Sequence, residues 1–294
     1  MNVTLSCPAC HNAQFEYYLA TQDFGVTREP FNLYRCTQCG LLATIPQPDE
    51  DQIGRYYASS NYISHTGKHD NRMLKLLYLA VRRIALTGKR KLIEKKYPKG
   101  SLLDLGCGTG AFLHEMKRSG WEVTGVEPAN IARRQAENIL NQRLFTRLDE
   151  LPQKSYRVIT LWHVLEHLHR PDTTLKRCRE LLEPGGLLVI AVPNPDSFDA
   201  LHYRQHWAGF DVPRHLWHFT RQAMKTLLNQ QGFTLHQILP MPWDAYYVSL
   251  LSEACRKNQN LPARFLKGFF TALKSNLHAR KTGAYSSLLY LAMK

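Results

Sequence analysis

A glycine-rich loop between a short apolar strand and an amphipathic helix is the feature that most constrains the fold. Residues 101–105 read SLLDL, the loop at 106–110 reads GCGTG, and Phe112, Leu113 and Met116 follow at helical spacing. Glycines let the backbone approach a ligand closely, and the N terminus of the following helix presents its N–H groups to polar atoms. This order of elements predicts the ligand-binding edge of an α/β sheet.

A second strand ends in a carboxylate that suits a ribose. Glu127 follows the strand 122–126 (EVTGV) and lies 21 residues after Gly106. A carboxylate at the end of the second strand can accept hydrogen bonds from both ribose hydroxyls. Together with the loop DLGCGTG, it makes residues 98–294 resemble the class I S-adenosylmethionine-dependent methyltransferases.

The resemblance implies an α/β fold with a Rossmann-like, seven-stranded sheet whose last strand is antiparallel. It places a third strand around residues 143–145 and S-adenosylmethionine on the glycine loop. Asp104 and the loop would surround the methionine part, Glu127 would bind the ribose, and Asp149 or Glu150, after the third strand, would contact adenine. The cofactor-binding residues expected from the resemblance are Asp104, Gly106, Cys107, Gly108, Gly110, Glu127, Asp149, Trp162 and His163.

The segment WHVLEH at 162–167 contains H-x-x-E-H, the spacing of an inverted zinc-peptidase motif. A zinc peptidase also needs a long helix and a third ligand, whereas this segment follows the apolar strand 156–161, so we reject that function. The succession up to Pro193-Asn194-Pro195 resembles the ubiquinone-biosynthesis O-methyltransferase group, in which some members bind magnesium through E-x-x-E-H.

Two interpretations of WHVLEH stay open. In the first, His163, Glu166 and His167 bind a divalent metal, although Mg²⁺ prefers oxygen ligands and is disfavoured by the histidine at 163. In the second, Trp162 and His163 line the cofactor pocket while Glu166 and His167 begin a helix and shape the pocket.

The stretch 206–220, HWAGFDVPRHLWHFT, is rich in aromatic and histidine residues. An apolar wall with a few polar groups is typical of a small-molecule site. A histidine that titrates near neutrality can deprotonate a hydroxyl, and His215 is the candidate base, with His167 as a second. The alternative is an aromatic mini-core with incidental histidines.

Four cysteines near the N terminus have zinc-ligand spacing. Cys7, Cys10, Cys36 and Cys39 form two C-x₂-C units, and four thiolates close a tetrahedral shell around a structural Zn²⁺. Gly40 suits the tight turn after the last sulfur because glycine tolerates positive φ. We predict a zinc ribbon with short strands at YRC and LLAT; two metal-free cysteine pairs are the alternative.

The net charge of +14 is concentrated in two segments, 72–99 and 256–294, and the second contains no acidic residue. We predict a zinc ribbon at 1–46, a helical linker or lid at 47–97, and a methyltransferase domain at 98–294 with a basic helical insertion at 253–283. Three interpretations of the basic helices stay open. They form lids whose apolar faces pack on the domain, they contact an anionic membrane surface, or they bind a phosphate-bearing acceptor.

The sequence thus predicts an S-adenosylmethionine-dependent methyltransferase that acts on a small-molecule or glycan-precursor acceptor, such as a sugar phosphate, by O-methylation. The alternatives are an RNA methyltransferase whose ribbon contacts RNA, and a non-catalytic binding module with the same fold. No apolar run is long enough to span a membrane and the start does not resemble a secretory signal. We therefore expect a cytoplasmic protein, with peripheral contact at the inner membrane face as an option; nothing predicts the oligomeric state.

Overall fold

The structure, a computed structural model, describes residues 5–57, 72–256 and 260–294. The predicted segments 47–97 and 253–283 therefore fall in part outside the described residues. The chain divides into two compact units. The first comprises Met1–Tyr62, His163–Lys176 and Ile190–Ala292, and the second comprises Ile63–Trp162, Arg177–Val189 and Met293–Lys294.

A four-stranded sheet in the first unit begins at the N terminus. Strands β1 (Phe15–Gln22), β2 (Pro30–Cys36) and β3 (Leu42–Ile45) are antiparallel neighbours, and β3 also pairs with the short strand β8 (Trp217–His218). The strands predicted at YRC and LLAT are confirmed by β2 and β3. Apolar side chains fill the core behind this sheet: Phe31, Leu33, Leu42, Tyr56, Ala200, Tyr203, Trp207, Phe210 and Val212.

The second sheet carries the predicted nucleotide-binding order of strands. Its strands are β4 (Ser101–Leu105), β5 (Glu122–Val126), β6 (Tyr156–Trp162), β7 (Leu182–Pro193), β9 (Thr234–Pro240) and β10 (Ser287–Met293), in the order β5-β4-β6-β7-β10-β9. Strand β4 is parallel to both of its neighbours. Lys294 N–H donates to the Gly186 carbonyl and Asn194 N–H to the Ser286 carbonyl, so the last strand runs antiparallel to β7, as predicted.

The predicted count of seven strands is wrong, because the described residues form six in this sheet. The strand expected at 143–145 is reduced to one bridge between Phe145 and Val126. Asn141, with φ 48°, ends the preceding helix and a 3₁₀ turn begins at Leu148. Among residues 142–147, between these two points, only Phe145 forms a bridge to β5.

Eight α-helices connect these strands within the described residues. They are α1 (Arg72–Glu94), α2 (Ala111–Arg118), α3 (Asn130–Leu140), α4 (Pro171–Leu181), α5 (Phe198–Tyr203), α6 (Arg221–Gln230), α7 (Asp244–Cys255) and α8 (Leu261–Thr282). Within the part of the chain that the structure describes, none of them is long and apolar enough to cross a bilayer.

Helix α8 is bounded by residues that favour helix ends. The Asn260 side chain accepts a hydrogen bond from Ala263 N–H at 3.1 Å, Pro262 lies in the first turn, and Gly283 ends the helix with φ 74°. Its buried side is made of small residues, and a Cβ on Gly268 would lie 3.1 Å from Leu250 Cδ2 of α7. The expectation that large apolar residues of α8 pack inward is wrong, since the close approach to α7 admits only small ones.

Candidate functional site

The glycine loop lies over the end of β5 in the second unit. Gly106 N–H and Cys107 N–H both donate to the Val126 carbonyl, at 2.8 and 3.1 Å. Gly106, Gly108 and Gly110 all have positive φ, between 54° and 76°. This is the left-handed region that favours glycine, so the loop conformation is encoded by these three residues.

Two of these glycines have different surroundings. A Cβ on Gly110 would lie 2.8 Å from Ala136 Cβ, so this glycine lets α2 begin against α3. A Cβ on Gly108 would meet no atom within 4 Å. The backbone at Gly108 therefore faces open space and is accessible to a ligand.

The Glu127 carboxylate connects the loop to the start of α3. It is buried, and its Oε2 accepts from Gly108 N–H at 2.8 Å while Oε1 accepts from Ala129 N–H at 2.8 Å. Each carboxylate oxygen can accept a second hydrogen bond. The geometry leaves Glu127 able to accept from a pair of ligand hydroxyls.

Asp104 is the second buried carboxylate of this unit. Its Oδ1 accepts from Thr160 Oγ1 at 2.6 Å. Burial raises the pKa of Asp104 to about 7, against the Thr160 hydrogen bond and the positive charge of Lys89, which lower it. Lys89 Nζ lies 4.0 Å from the centroid of the Trp162 ring, a cation–π distance.

These residues fit S-adenosylmethionine, which carries a ribose, an adenine, a sulfonium and an amino-acid end. Gly108 leaves room for close approach, Glu127 offers acceptors for the ribose, and Trp162 packs edge-on against Phe112 at 5.4 Å as an aromatic wall. Asp149 is 76% exposed and pairs with Arg147 at 3.5 Å, so its contact with adenine stays a prediction.

A cluster of polar residues in the first unit brings Glu166, His167 and His215 together. One ligand atom from each lies within 4.8 Å of the others, and the two imidazole rings are 4.5 Å apart. His167 Nδ1 lies 2.9 Å from the Arg214 carbonyl and His215 Nδ1 lies 2.9 Å from the Gly209 carbonyl. Because a carbonyl only accepts, we assign the proton to each Nδ1, which leaves lone pairs on both Nε2 atoms.

Glu166 is the negative charge of this cluster. It is 1% exposed, and among the described residues neither carboxylate oxygen has a hydrogen-bond partner. Burial would raise the pKa of Glu166, but its contact with His163 and the neighbouring His215 lower it. Burial and the neighbouring His215 lower the pKa of His167 to about 4, so near neutrality Glu166 is ionised and His167 is neutral.

His163 lies next to this cluster in the first unit as a bridge between two carboxylates. Its Nδ1 is 3.4 Å from Glu166 Oε1 and its Nε2 is 3.3 Å from Asp244 Oδ2. Burial would lower the pKa of His163, but the two carboxylates raise it to about 9. A protonated imidazole has no lone pair for a metal, so the residues with available lone pairs are Glu166, His167 and His215. Two of these three ligands are nitrogens, and Mg²⁺ prefers oxygen.

The raised pKa of His163 predicts a loss of stability with rising pH. Since the folded pKa of about 9 exceeds the unfolded value of 6.5, its contribution is complete below 6.5 and is lost as the pH rises through 9. Urea unfolding across this range should show a falling free energy of unfolding that His163→Gln flattens. His236→Gln, an exposed histidine on β9, is the control; an unchanged slope in His163→Gln would contradict the bridge.

The four predicted zinc ligands converge in the N-terminal part of the first unit. Cys7 Sγ and Cys39 Sγ are 3.5 Å apart, as are Cys10 Sγ and Cys36 Sγ, and all four sulfurs lie within 4.8 Å of one another. Zinc–sulfur bonds of about 2.3 Å in a tetrahedron require sulfurs about 3.8 Å apart, so the set fits Zn²⁺. Gly40 has φ 77°, which confirms the predicted turn.

Metal analysis of the purified protein tests this tetrad. We expect one zinc per chain, because four thiolates complete one tetrahedral shell. Cys36→Ser should lose zinc and have a lower melting temperature. Cys255→Ser, outside the tetrad, should keep the zinc and the wild-type melting temperature. A folded Cys36→Ser protein with full zinc would refute the assignment, and a second zinc lost in His215→Ala would place a metal on the histidine cluster.

Several residues around the histidine cluster were not predicted. Tyr57 Oη lies 3.1 Å from His167 Nδ1, and Asp244 pairs with His163. The buried Arg214 pairs with Asp23 at 2.9 Å and with Asp211 at 2.6 Å. The sequence pointed to Asp211 and Arg214 only through their position inside the aromatic stretch 206–220. The other partners are distant in sequence from the residues that they contact.

Comparison with known proteins gives a family match over more than half of the chain. The model of a family described as "Methyltransferase domain" matches residues 78–238. The ubiquinone biosynthesis O-methyltransferase of Nitrosococcus oceani is 33% identical over 135 residues, which cover 43% of this chain and 52% of that protein. The protein of the same name from Cereibacter sphaeroides is 32% identical over 164 residues, 48% of this chain and 65% of that protein. The matched part of the chain thus covers less than two thirds of the length of either relative.

Solved structures show the same fold at low identity. The structure described as StiE O-MT matches with a TM-score of 0.50 and 16% identity, over 76% of this chain and 78% of that one. The [4+2]-cyclase SpnF also matches with a TM-score of 0.50 and 16% identity, over 85% of this chain and 98% of that one. At this identity the likeness shows the fold alone.

Proposed function

Because the chain belongs to the methyltransferase-domain family, we propose that it transfers a methyl group from S-adenosylmethionine to a small-molecule acceptor. The observation that carries this proposal is the hydrogen bond of Gly108 N–H to Glu127, which joins the open glycine loop to the ribose-binding carboxylate. When bound, the cofactor supplies an electrophilic methyl group on its sulfonium. The residues of the chain would bind the cofactor, orient the acceptor and accept its proton.

The second unit would bind and orient the cofactor. The glycine loop would let the cofactor approach the backbone closely at Gly108, and Glu127 would accept from the ribose hydroxyls. Asp104, in its ionised form, and the Lys89 ammonium would provide charges of both signs, which match the charged amino-acid end of the ligand. Trp162 and Phe112 exclude water from one side of the pocket.

The first unit would accept the proton of a hydroxyl acceptor. His215 Nε2 carries a lone pair because Nδ1 donates to Gly209, and the ionised Glu166 stabilises the imidazolium that forms. His167, whose ring lies 4.5 Å away, stays neutral near neutrality and keeps a second positive charge out of the cluster.

We further propose an oxygen acceptor and a structural zinc. The curated relatives are O-methyltransferases, and a base such as His215 assists an acceptor that starts protonated. A phenol, a catechol or a sugar hydroxyl has this chemistry. Zn²⁺ on the four cysteines would stabilise the N-terminal strands and leave no open position for catalysis.

Calorimetric titration with S-adenosylmethionine and S-adenosylhomocysteine tests the cofactor site. Glu127→Gln should weaken binding about 10-fold to 100-fold, because it replaces a charged acceptor by a neutral amide. Glu122→Gln, exposed at the start of the strand that Glu127 follows, is the matched control and should bind normally. Folded, zinc-loaded protein that binds neither ligand would overturn the methyltransferase proposal and favour a non-catalytic module.

Transfer of a labelled methyl group to a panel of phenols, catechols and nucleotide sugars tests the base. His215→Gln should lower kcat about 10²-fold to 10⁴-fold with unchanged affinity for S-adenosylmethionine, because it removes proton acceptance alone. The loss should shrink at high pH, where the acceptor ionises without help. His236→Gln should keep full activity, and wild-type kcat in His215→Gln would exclude the base.

A further inference from the structure

Helix α8 has the reverse of the usual amphipathic arrangement. It packs through small residues and presents large apolar ones to solvent. The buried residues are Gly268, Thr271, Ala272, Ser275 and Ala279. The exposed ones are Leu261, Phe265, Leu266, Phe269, Phe270, Leu273 and Leu277. Monomeric proteins rarely expose a continuous apolar face of this size without a partner for it.

Helix α7 extends the same surface. Trp243, at its start, is 79% exposed, and Tyr247 and Leu251 follow at four-residue spacing and are also exposed. Ring contacts connect the two helices, since Tyr246 lies 5.5 Å from Phe269 and 6.1 Å from Trp243. Leu261 lies seven residues before Gly268 and therefore belongs to the other side of the helix. We call the nine remaining exposed residues of α8, α7 and its N-cap the apolar face.

A row of lysines borders the apolar face on α8. Lys267, Lys274 and Lys281 repeat every seven residues, close to two helical turns, so they form one stripe along the helix. Phe270 and Leu277 each follow one of these lysines by three residues and are therefore its neighbours on the surface. All three lysines are exposed, and residues 256–294 contain no Asp or Glu to neutralise them.

We propose that the apolar face lies on an anionic lipid bilayer, with the lysine stripe at the phosphates. An interfacial helix combines an apolar face with flanking basic residues, and exposed tryptophan and tyrosine are typical of the headgroup level. The lysine stripe favours an anionic surface over a second copy of this chain, because the lipid phosphates supply the negative charge that residues 256–294 lack. The contact is peripheral, since no helix in the described ranges could span the membrane. It is independent of methyl transfer.

Co-sedimentation of the full, zinc-loaded chain with vesicles tests the proposal. Vesicles of phosphatidylcholine mixed with phosphatidylglycerol should bind the protein, and phosphatidylcholine alone should bind it far more weakly. The triple variant Lys267→Gln, Lys274→Gln, Lys281→Gln should bind anionic vesicles on the order of a hundredfold more weakly, and high salt should have a similar effect. Lys95→Gln, Lys96→Gln, Lys99→Gln, exposed at the end of α1, is the matched control.

The apolar part is tested separately. Phe269→Ser with Phe270→Ser should reduce vesicle binding about tenfold or more without lowering the melting temperature, because both rings are exposed. Ile131→Ser with Ile139→Ser, exposed on α3, should bind normally. Trp243 is the most exposed tryptophan, so its emission should shift to shorter wavelength on vesicles, and Trp243→Phe should abolish that shift.

Three results would overturn the proposal. Equal binding to neutral and anionic vesicles would remove the role of the lysine stripe. Absence of binding to both kinds of vesicle would show that the apolar face does not bind lipid. Sedimentation velocity that shows a dimer, dissociated by Phe269→Ser with Phe270→Ser, would assign the face to a second copy of the chain.

Discussion

The geometry of the histidine cluster depends on one buried guanidinium. Arg214 is 1% exposed and donates to Asp23, to Asp211 and to the Tyr56 carbonyl. Burial would raise the pKa of both aspartates, but hydrogen bonds, including those from Arg214, hold both below the usual range. The Arg214 carbonyl accepts from His167, and the next residue is His215. An unpaired charge at this depth costs about 3–5 kcal/mol. The ion pairs of Arg214 therefore hold the backbone that carries His215 and the carbonyl that accepts from His167.

Much of the local structure around the glycine loop could be predicted because its residues are contiguous. The strand, loop, helix and second strand lie within residues 101–127, and local sequence encodes their conformations. The support of the histidine cluster could not be predicted, since Arg214 and Asp23 are 191 residues apart. The prediction of a third strand was wrong for a local reason. Residues 143–145 indicate extended backbone, but the sequence does not specify how many hydrogen bonds this backbone makes to β5.

Helix α8 shows what periodicity can and cannot predict. The spacing of Phe265, Phe269 and Leu273 correctly indicates a helix with one apolar side. Which side is buried depends on the neighbouring helix, and α7 approaches so closely at Gly268 that only small side chains fit between them. Similarly, the spacing in WHVLEH placed His163 with Glu166, but the charge of Asp244, far along the chain, makes it a cation rather than a metal ligand.

The pairing of β3 with β8 limits how the chain can be divided into modules. Thr44 Oγ1 donates to the His215 carbonyl at 2.7 Å, and Thr44 N–H and the Gln47 side chain both donate to the Leu216 carbonyl at 3.0 Å. The family match begins at residue 78, beyond these donors. A chimera joined at that boundary would retain the whole glycine loop, yet it would leave two carbonyls beside the proposed base without their partners. Recombination or grafting of this protein therefore has to transfer the N-terminal strands together with the segment around His215.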